Sequence, residues 1–124
     1  MKNKLNLLFM ILLSINFIFS STIEKEIRQF AKYEYPNDKK MQDYIYKKQM
    51  SAYQYMRTVA DREVKAIAVR EYPNDYSMQK YIYDKQLSAK KYSNTMSDAE
   101  VKKIAIREYP NDHSMQKYIY DKQL

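Results

Sequence analysis

The segment Tyr-Pro-Asn-Asp occurs three times, and each copy contains one of the only prolines of the chain, Pro36, Pro73 and Pro110. These prolines are each 37 residues apart, and the residues around them recur with the same spacing. A period of this length is typical of repeated two-helix units that stack on one another. We therefore expect an all-α fold, an array of about two and a half helical hairpins that forms a short α-solenoid or a helical bundle.

Aligned on the prolines, the repeats cover residues 24–60, 61–97 and 98–124, so the third repeat is partial. The second and third repeats differ at four of their 27 shared positions, whereas the first matches the second at 18 of 37. What the divergent first repeat retains is therefore the better guide to what the repeat requires. We assign residues 21–124 to one helical repeat domain.

Each repeat is expected to contain a short helix, a turn at the proline and a longer helix. The chain has no glycine, so little interrupts helix formation apart from the prolines. The short helices should end before the proline, with Asn completing the turn in place of glycine. Asp38, Asp75 and Asp112 should cap the long helices. Ser97 and Glu100 have the spacing of a capping box, which predicts that Ser97 caps the last short helix.

The N-terminal residues are typical of an export signal. Lys2 and Lys4 precede an apolar run at residues 5–19, and serines follow it. This pattern predicts a signal peptide at residues 1–20 and export to the bacterial periplasm or the exterior. The alternative is an uncleaved inner-membrane anchor formed by residues 5–19. The run is shorter than the roughly 20 apolar residues of a spanning helix, which favours the signal peptide.

Composition argues against an enzyme. The chain has no cysteine and only one histidine, His113, which stands where the other repeats have Lys39 and Tyr76. A nucleophile with its base, a transition-metal site and a glycine-rich phosphate loop all lack the residues they need. We therefore expect no catalytic residue, no cofactor and no metal.

The charge balance bears on partners. The formal net charge is +7, which favours acidic partners over basic ones. Charges of both signs are mixed along the helices, however, as they are on an ordinary solvated surface. Export argues against nucleic acid as the partner.

The long helices carry two apolar stripes. In the second repeat the first stripe contains Met78, Tyr81, Ile82, Ala89 and Tyr92, which should pack on the short helix of the same hairpin. Tyr44 and its neighbours occupy the same positions in the first repeat. The opposite stripe is expected either to pack against the next repeat or to form a tyrosine-lined surface for a partner. Its candidate partner-binding residues are Tyr46, Tyr76, Tyr83, Leu87, Tyr120 and Leu124.

Glu71 recurs in every repeat near the end of the short helix, where a carboxylate opposes the helix dipole. We expect it to pair across the hairpin with Lys85 or Gln86.

The stretch from Glu71 to Gln86 contains Tyr-Pro-Asn-Asp followed by Met-Gln and Tyr81, and it resembles a segment of uncharacterised exported bacterial proteins. The resemblance implies an envelope or secreted protein and carries no known activity. We therefore expect a non-catalytic protein-interaction module of the bacterial envelope. One alternative is self-association, with Tyr120 and Leu124 covering the same surface of a second copy. Another is a basic surface that binds anionic glycans or lipid headgroups.

Overall fold

A computed structural model describes Met10 and residues 22–124. The predicted all-α class is confirmed, since the described residues form helices and turns and contain no strand. The predicted signal segment, residues 1–20, lies outside the described residues apart from Met10. Residues 22–34 are helical and form α1. The helices that follow are α2 Lys39–Thr58, α3 Arg62–Glu71, α4 Tyr76–Ser93, α5 Ala99–Glu108 and α6 His113–Gln123. Among the described helices, none has the length and hydropathy needed to span a bilayer.

The short helices end where the proline predicts. α3 ends at Glu71 and α5 at Glu108, each two residues before a proline. No glycine or proline separates α2 from α3, yet α2 does not run on into α3. It ends at Thr58, whose hydroxyl donates a hydrogen bond of 2.8 Å to the carbonyl of Tyr55.

The Tyr-Pro-Asn-Asp turn is closed by the same hydrogen bonds in each repeat. In the second repeat the Asp75 N–H donates to the Tyr72 carbonyl, and the Asp75 carboxylate accepts from the Met78 N–H at 3.0 Å. The Gln79 side-chain amide also donates to the Tyr72 carbonyl, at 2.7 Å. No described residue has a positive φ, so the turn needs no glycine and Asn does not replace one there. The bond from the Gln side chain explains why Gln follows the turn in every repeat. This role of Gln was not predicted from the sequence.

The prediction that Ser97 caps α5 is wrong. The cap is Asp98, whose carboxylate accepts from the backbone N–H groups of Glu100 and Val101. The backbone N–H groups of Ser97 and Asp98 both donate to the Tyr120 hydroxyl, at 3.1 and 3.0 Å. Tyr120, which is distant in sequence, therefore fixes the backbone just before α5. Asp38, Asp75 and Asp112 cap their helices as predicted.

The chain divides into two compact units, Met1–Met50 and Ser51–Leu124. In the first unit, Ile27 and Ala31 are buried on one face of α1. The Arg28 guanidinium lies 4.0 Å from the centre of the Tyr46 ring, a cation–π contact between α1 and α2.

In the second unit α3 packs on α4, α4 packs on α6, and α5 packs on α6. Its main apolar cluster contains buried residues from the end of α2 and from α3 and α4, namely Met56, Val64, Ile67, Ala68, Ile82 and Tyr83. Ile82 and Ala89 are buried, as predicted for the first stripe. The prediction was wrong for Tyr81 and Tyr44, which are 58% and 59% exposed.

Candidate interaction surface

Two of the predicted partner-binding tyrosines, Tyr83 and Tyr120, are interior residues. Each is 3% exposed. The Tyr83 hydroxyl accepts from the Asp61 backbone N–H at 3.3 Å, as the Tyr120 hydroxyl does from Ser97 and Asp98. The hydrogen bond from the Asp98 N–H lowers the pKa of Tyr120. Both tyrosines thus hold the chain just before a short helix, which favours the packing interpretation of the second stripe over a partner surface.

The other four predicted residues differ in how far they are exposed. Tyr76 is half-buried, and its ring meets Tyr53 edge-on with 5.1 Å between centres. Leu87 packs against the apolar cluster, and Tyr46 is half-buried beneath Arg28. Leu124 alone among the six is fully exposed, at 76%. A role of these residues in partner binding stays a prediction.

A contact between a tyrosine, an aspartate and a lysine occurs twice among residues of the second unit, each time between successive long helices. The Tyr55 hydroxyl donates to Asp84 at 2.6 Å, and Lys80 binds the other carboxylate oxygen of Asp84 at 2.7 Å. The Asp84 hydrogen bond, together with burial, raises the pKa of Tyr55 to about 12. The same contacts recur 37 residues later, where Asp121 accepts from both Tyr92 and Lys117. These contacts join α2 to α4 and α4 to α6.

Gln86 joins α4 to the start of α6. Its amide donates to the Asp112 carboxylate at 2.9 Å and its oxygen accepts from the Ser114 N–H at 3.2 Å. The predicted pairing of Glu71 with Lys85 or Gln86 is therefore wrong. Glu71 is exposed, and within residues 22–124 no ion pair joins it to Lys85.

A charged cluster links α3, α4 and α6. The Lys90 ammonium lies 2.9 Å from Asp61 and 2.6 Å from Glu63, and the second oxygen of Glu63 lies 3.1 Å from Nε2 of His113. His113 is buried, so it is a packing residue here. The hydrogen bonds from Lys90 lower the pKa values of Asp61 and Glu63, and the bond to Asp61 chiefly raises the pKa of Lys90.

These shifts predict a loss of stability in acid. Because the carboxyl pKa values are lower in the folded state, their contribution is present above the ordinary values of 3.8 and 4.5. It is lost as the pH falls through the lowered folded-state values. The contribution of Lys90 is constant over this range, since a raised lysine pKa matters only in alkali.

Lys90→Gln should therefore reduce the drop in melting temperature between about pH 7 and pH 3. Lys91→Gln is the matched control, because Lys91 is exposed and makes no ion pair among the described residues. Thermal melts followed by circular dichroism measure both. Equal pH dependence in the two variants would contradict a stabilising role for the cluster.

Within the described residues, no group of three or more His, Cys, Asp or Glu side chains is placed to hold a metal ion. Glu63 contacts both His113 and Lys90, so the charge of the Glu63 carboxylate is already paired with the Lys90 ammonium.

One surface feature recurs without a packing role. Tyr81, Lys85 and Ser88 have the spacing i, i+4, i+7 on α4, and all three are exposed. Their side chains make no hydrogen bond, ion pair or ring contact among the described residues. The equivalent residues of α6 are Tyr118, 50% exposed, and Lys122, whose ammonium lies 5.1 Å from the Tyr118 ring centre. We call these five residues the exposed stripe.

Retention in the sequence points to the exposed stripe only when it is combined with exposure in the structure. The divergent first repeat keeps the same residue types at Tyr44, Lys48 and Ser51. Tyr44 and Lys48 are exposed on α2, so burial does not account for their retention.

A groove of about 290 Å³ lies beside the exposed stripe, lined by α4 and α6. Its lining residues are Lys85, Ser88, Ala89, Ser114 and Lys117. Lys117 is bound to Asp121 and lies 4.4 Å from the Tyr92 ring centre, whereas Lys85 has no ion pair within residues 22–124. The groove thus combines a cationic edge with the Ala89 methyl group.

Comparison of the chain with protein-family models, with curated proteins and with solved structures gave no match.

Proposed function

We propose that this chain is an exported, non-catalytic protein-interaction module of the bacterial envelope and that it binds its partner through the exposed stripe. The observation that carries the proposal is the retention of Tyr and Lys at exposed positions. The first and second repeats agree at 18 of 37 positions, and these include Tyr44 with Tyr81 and Lys48 with Lys85.

Many of the other retained residues have identifiable structural roles. In the second repeat Ala68 and Ile82 are buried, Asp75 caps α4, and Gln79 and Gln86 make hydrogen bonds across the turn and to α6. Folding therefore accounts for those positions. It does not account for Tyr81 and Lys85, because neither makes a polar or ring contact among the described residues.

The residue types of the exposed stripe suit recognition of a protein. Tyrosine offers a large, rigid contact area with one polar tip and is enriched among the residues that dominate binding energy. Lysine at the edge of such a contact steers an acidic partner and increases the association rate. Repetition on successive hairpins would let one extended partner contact several copies of the same surface.

The test is affinity capture from an envelope fraction with three forms of the protein. Beside the wild type, the variant Tyr81→Ser/Tyr118→Ser removes both rings of the exposed stripe. Tyr33→Ser is the control, because it also removes an exposed tyrosine, 84% exposed, but one that the repeats do not retain. The other repeats have Arg70 and Arg107 at this position. Circular dichroism should show that all three are folded.

We expect the same partner with the wild type and with Tyr33→Ser, and at least about tenfold less of it with the double variant. Equal recovery with all three forms would contradict binding through the exposed stripe. Light scattering of the purified forms distinguishes self-association from binding of a different protein. In self-association the captured protein is a second copy of the chain, and the measured mass falls in the double variant. Export is tested by cell fractionation with and without residues 1–20, and cytoplasmic retention of the full chain would contradict it.

A further inference from the structure

We infer that the partner presents an acidic segment of polypeptide, with one apolar side chain in the groove beside Lys85 and carboxylates on the lysines around it. The inference rests on the proposed function, since it names the chemistry of the partner that the exposed stripe binds.

The size and lining of the groove fit a single side chain. Its volume of about 290 Å³ lies at or below the lower limit of roughly 300–1,000 Å³ for small-molecule pockets. Ala89, 5% exposed, provides an apolar floor. The methylene stems of Lys85 and Lys117 can cover an apolar group while their ammonium groups stay in water. An apolar side chain lying in this open groove would therefore contact Ala89 and the lysine stems.

The charges around the groove are mostly positive. α4 contains four lysines and one aspartate. Two of these lysines are already paired, Lys80 with Asp84, and Lys90 with Asp61 and Glu63. Among the described residues, Lys85 on α4 and Lys122 on α6 have no acidic partner. A carboxylate approaching the groove would meet the Lys85 ammonium group without having to displace an existing ion pair.

The composition of the groove favours a polypeptide over a glycan or a lipid headgroup. A sugar ring needs polar partners for hydroxyl groups all around it, and the groove wall offers only the hydroxyls of Ser88 and Ser114 and the ammonium groups of Lys85 and Lys117. The Ser114 hydroxyl is buried, and Lys117 is already bound to Asp121. A peptide can place an apolar side chain on Ala89 and stack its neighbours on the exposed rings of Tyr81 and Tyr118. Acidic residues beside that side chain would complete the match.

The experiment is selection of a random peptide library on the full chain, followed by titration of a labelled enriched peptide by fluorescence anisotropy. We expect enriched peptides to contain Asp or Glu on either side of an apolar residue. Lys85→Glu should weaken binding by at least about tenfold. Raising the salt from about 0.05 M to 0.5 M should also weaken it, since exposed charges are then screened. Enrichment without an excess of acidic residues would overturn the inference.

Lys103→Glu is the charge-matched control, because Lys103 is an exposed residue of α5 that aligns with Ala66 and Gln29. It should leave peptide affinity within about twofold of the wild type. An equal loss in both variants would show a nonspecific charge effect and overturn the assignment to the groove. Polygalacturonate and phosphatidylglycerol vesicles serve as competing probes. Binding of either that depends on Lys85 and exceeds that of the acidic peptides would also overturn the inference.

The two proposals fail separately. If capture by the exposed stripe is confirmed but the selected peptides lack acidic residues, only the acidic-segment inference is wrong. If the double variant Tyr81→Ser/Tyr118→Ser captures the partner as well as the wild type, the proposed surface itself is wrong.

Discussion

Replacing Tyr83 by alanine is expected to lower the free energy of unfolding by about 3–5 kcal/mol, the usual cost of removing a buried aromatic side chain. Tyr83 is 3% exposed and belongs to the cluster formed by Met56, Val64 and their neighbours. Its ring also packs edge-on against Tyr55, with 6.3 Å between centres. The substitution removes all of these contacts together with the acceptor for the Asp61 N–H. Urea denaturation followed by circular dichroism measures the change.

Two further variants separate the causes of this loss. Tyr83→Phe keeps the ring and removes only the hydroxyl, so it should cost about 1 kcal/mol. Tyr81→Ala removes a tyrosine two residues earlier in the same helix, where the side chain is 58% exposed, and should change stability by less than about 0.5 kcal/mol. A large effect at Tyr81 with a small one at Tyr83 would invert the assignment of the two faces of α4.

Ala68→Glu should prevent folding of the second unit or bring it close to the unfolding threshold. Ala68 is completely buried in the apolar cluster, whose described members carry no charge. An unpaired buried charge costs about 3–5 kcal/mol, and overpacking adds to it. A small domain is stable by only about 5–15 kcal/mol in total. Loss of the cooperative thermal transition, or a greatly lowered melting temperature, is the expected observation.

Ala66→Glu is the control on the same helix. Ala66 is exposed, and the third repeat has Lys103 at this position, so the site tolerates a long charged side chain. Its melting temperature should stay within a few degrees of the wild type. Similar melting temperatures for the two glutamate variants would show that α3 does not bury the face that contains Ala68.

Local structure could be predicted well because its causes lie close together along the chain. The proline prevents the short helix from continuing. Asp75 caps the next helix by accepting a hydrogen bond from the Met78 N–H, only three residues later. Even the unpredicted bond from Gln79 to the Tyr72 carbonyl joins residues only seven apart. By contrast, the choice of Asp98 over Ser97 as the cap of α5 depends on Tyr120, 22 residues away from Asp98.

The candidate surface was less predictable for the same reason. Helical periodicity placed Tyr81 on one apolar stripe and Tyr83 on the other, and it could not show which side chain the neighbouring helices cover. Retention in the first repeat distinguished neither residue, since both tyrosines are kept as Tyr44 and Tyr46. Exposure in the folded chain was the missing information.

Local sequence therefore predicted the helices, the ends of the short helices and the turn at each proline, because these follow from propensity, capping and hydrogen bonds within a few residues. The cap of α5 is the exception, since it depends on a distant residue. Tertiary structure decided which tyrosine is buried and which is exposed. Tyr83 is buried by residues of α2 and α3 and accepts from an N–H 22 positions earlier, whereas Tyr81 faces solvent. Burial is a property of the packed helices, and two identical residues on one helix acquire different roles only when those helices meet.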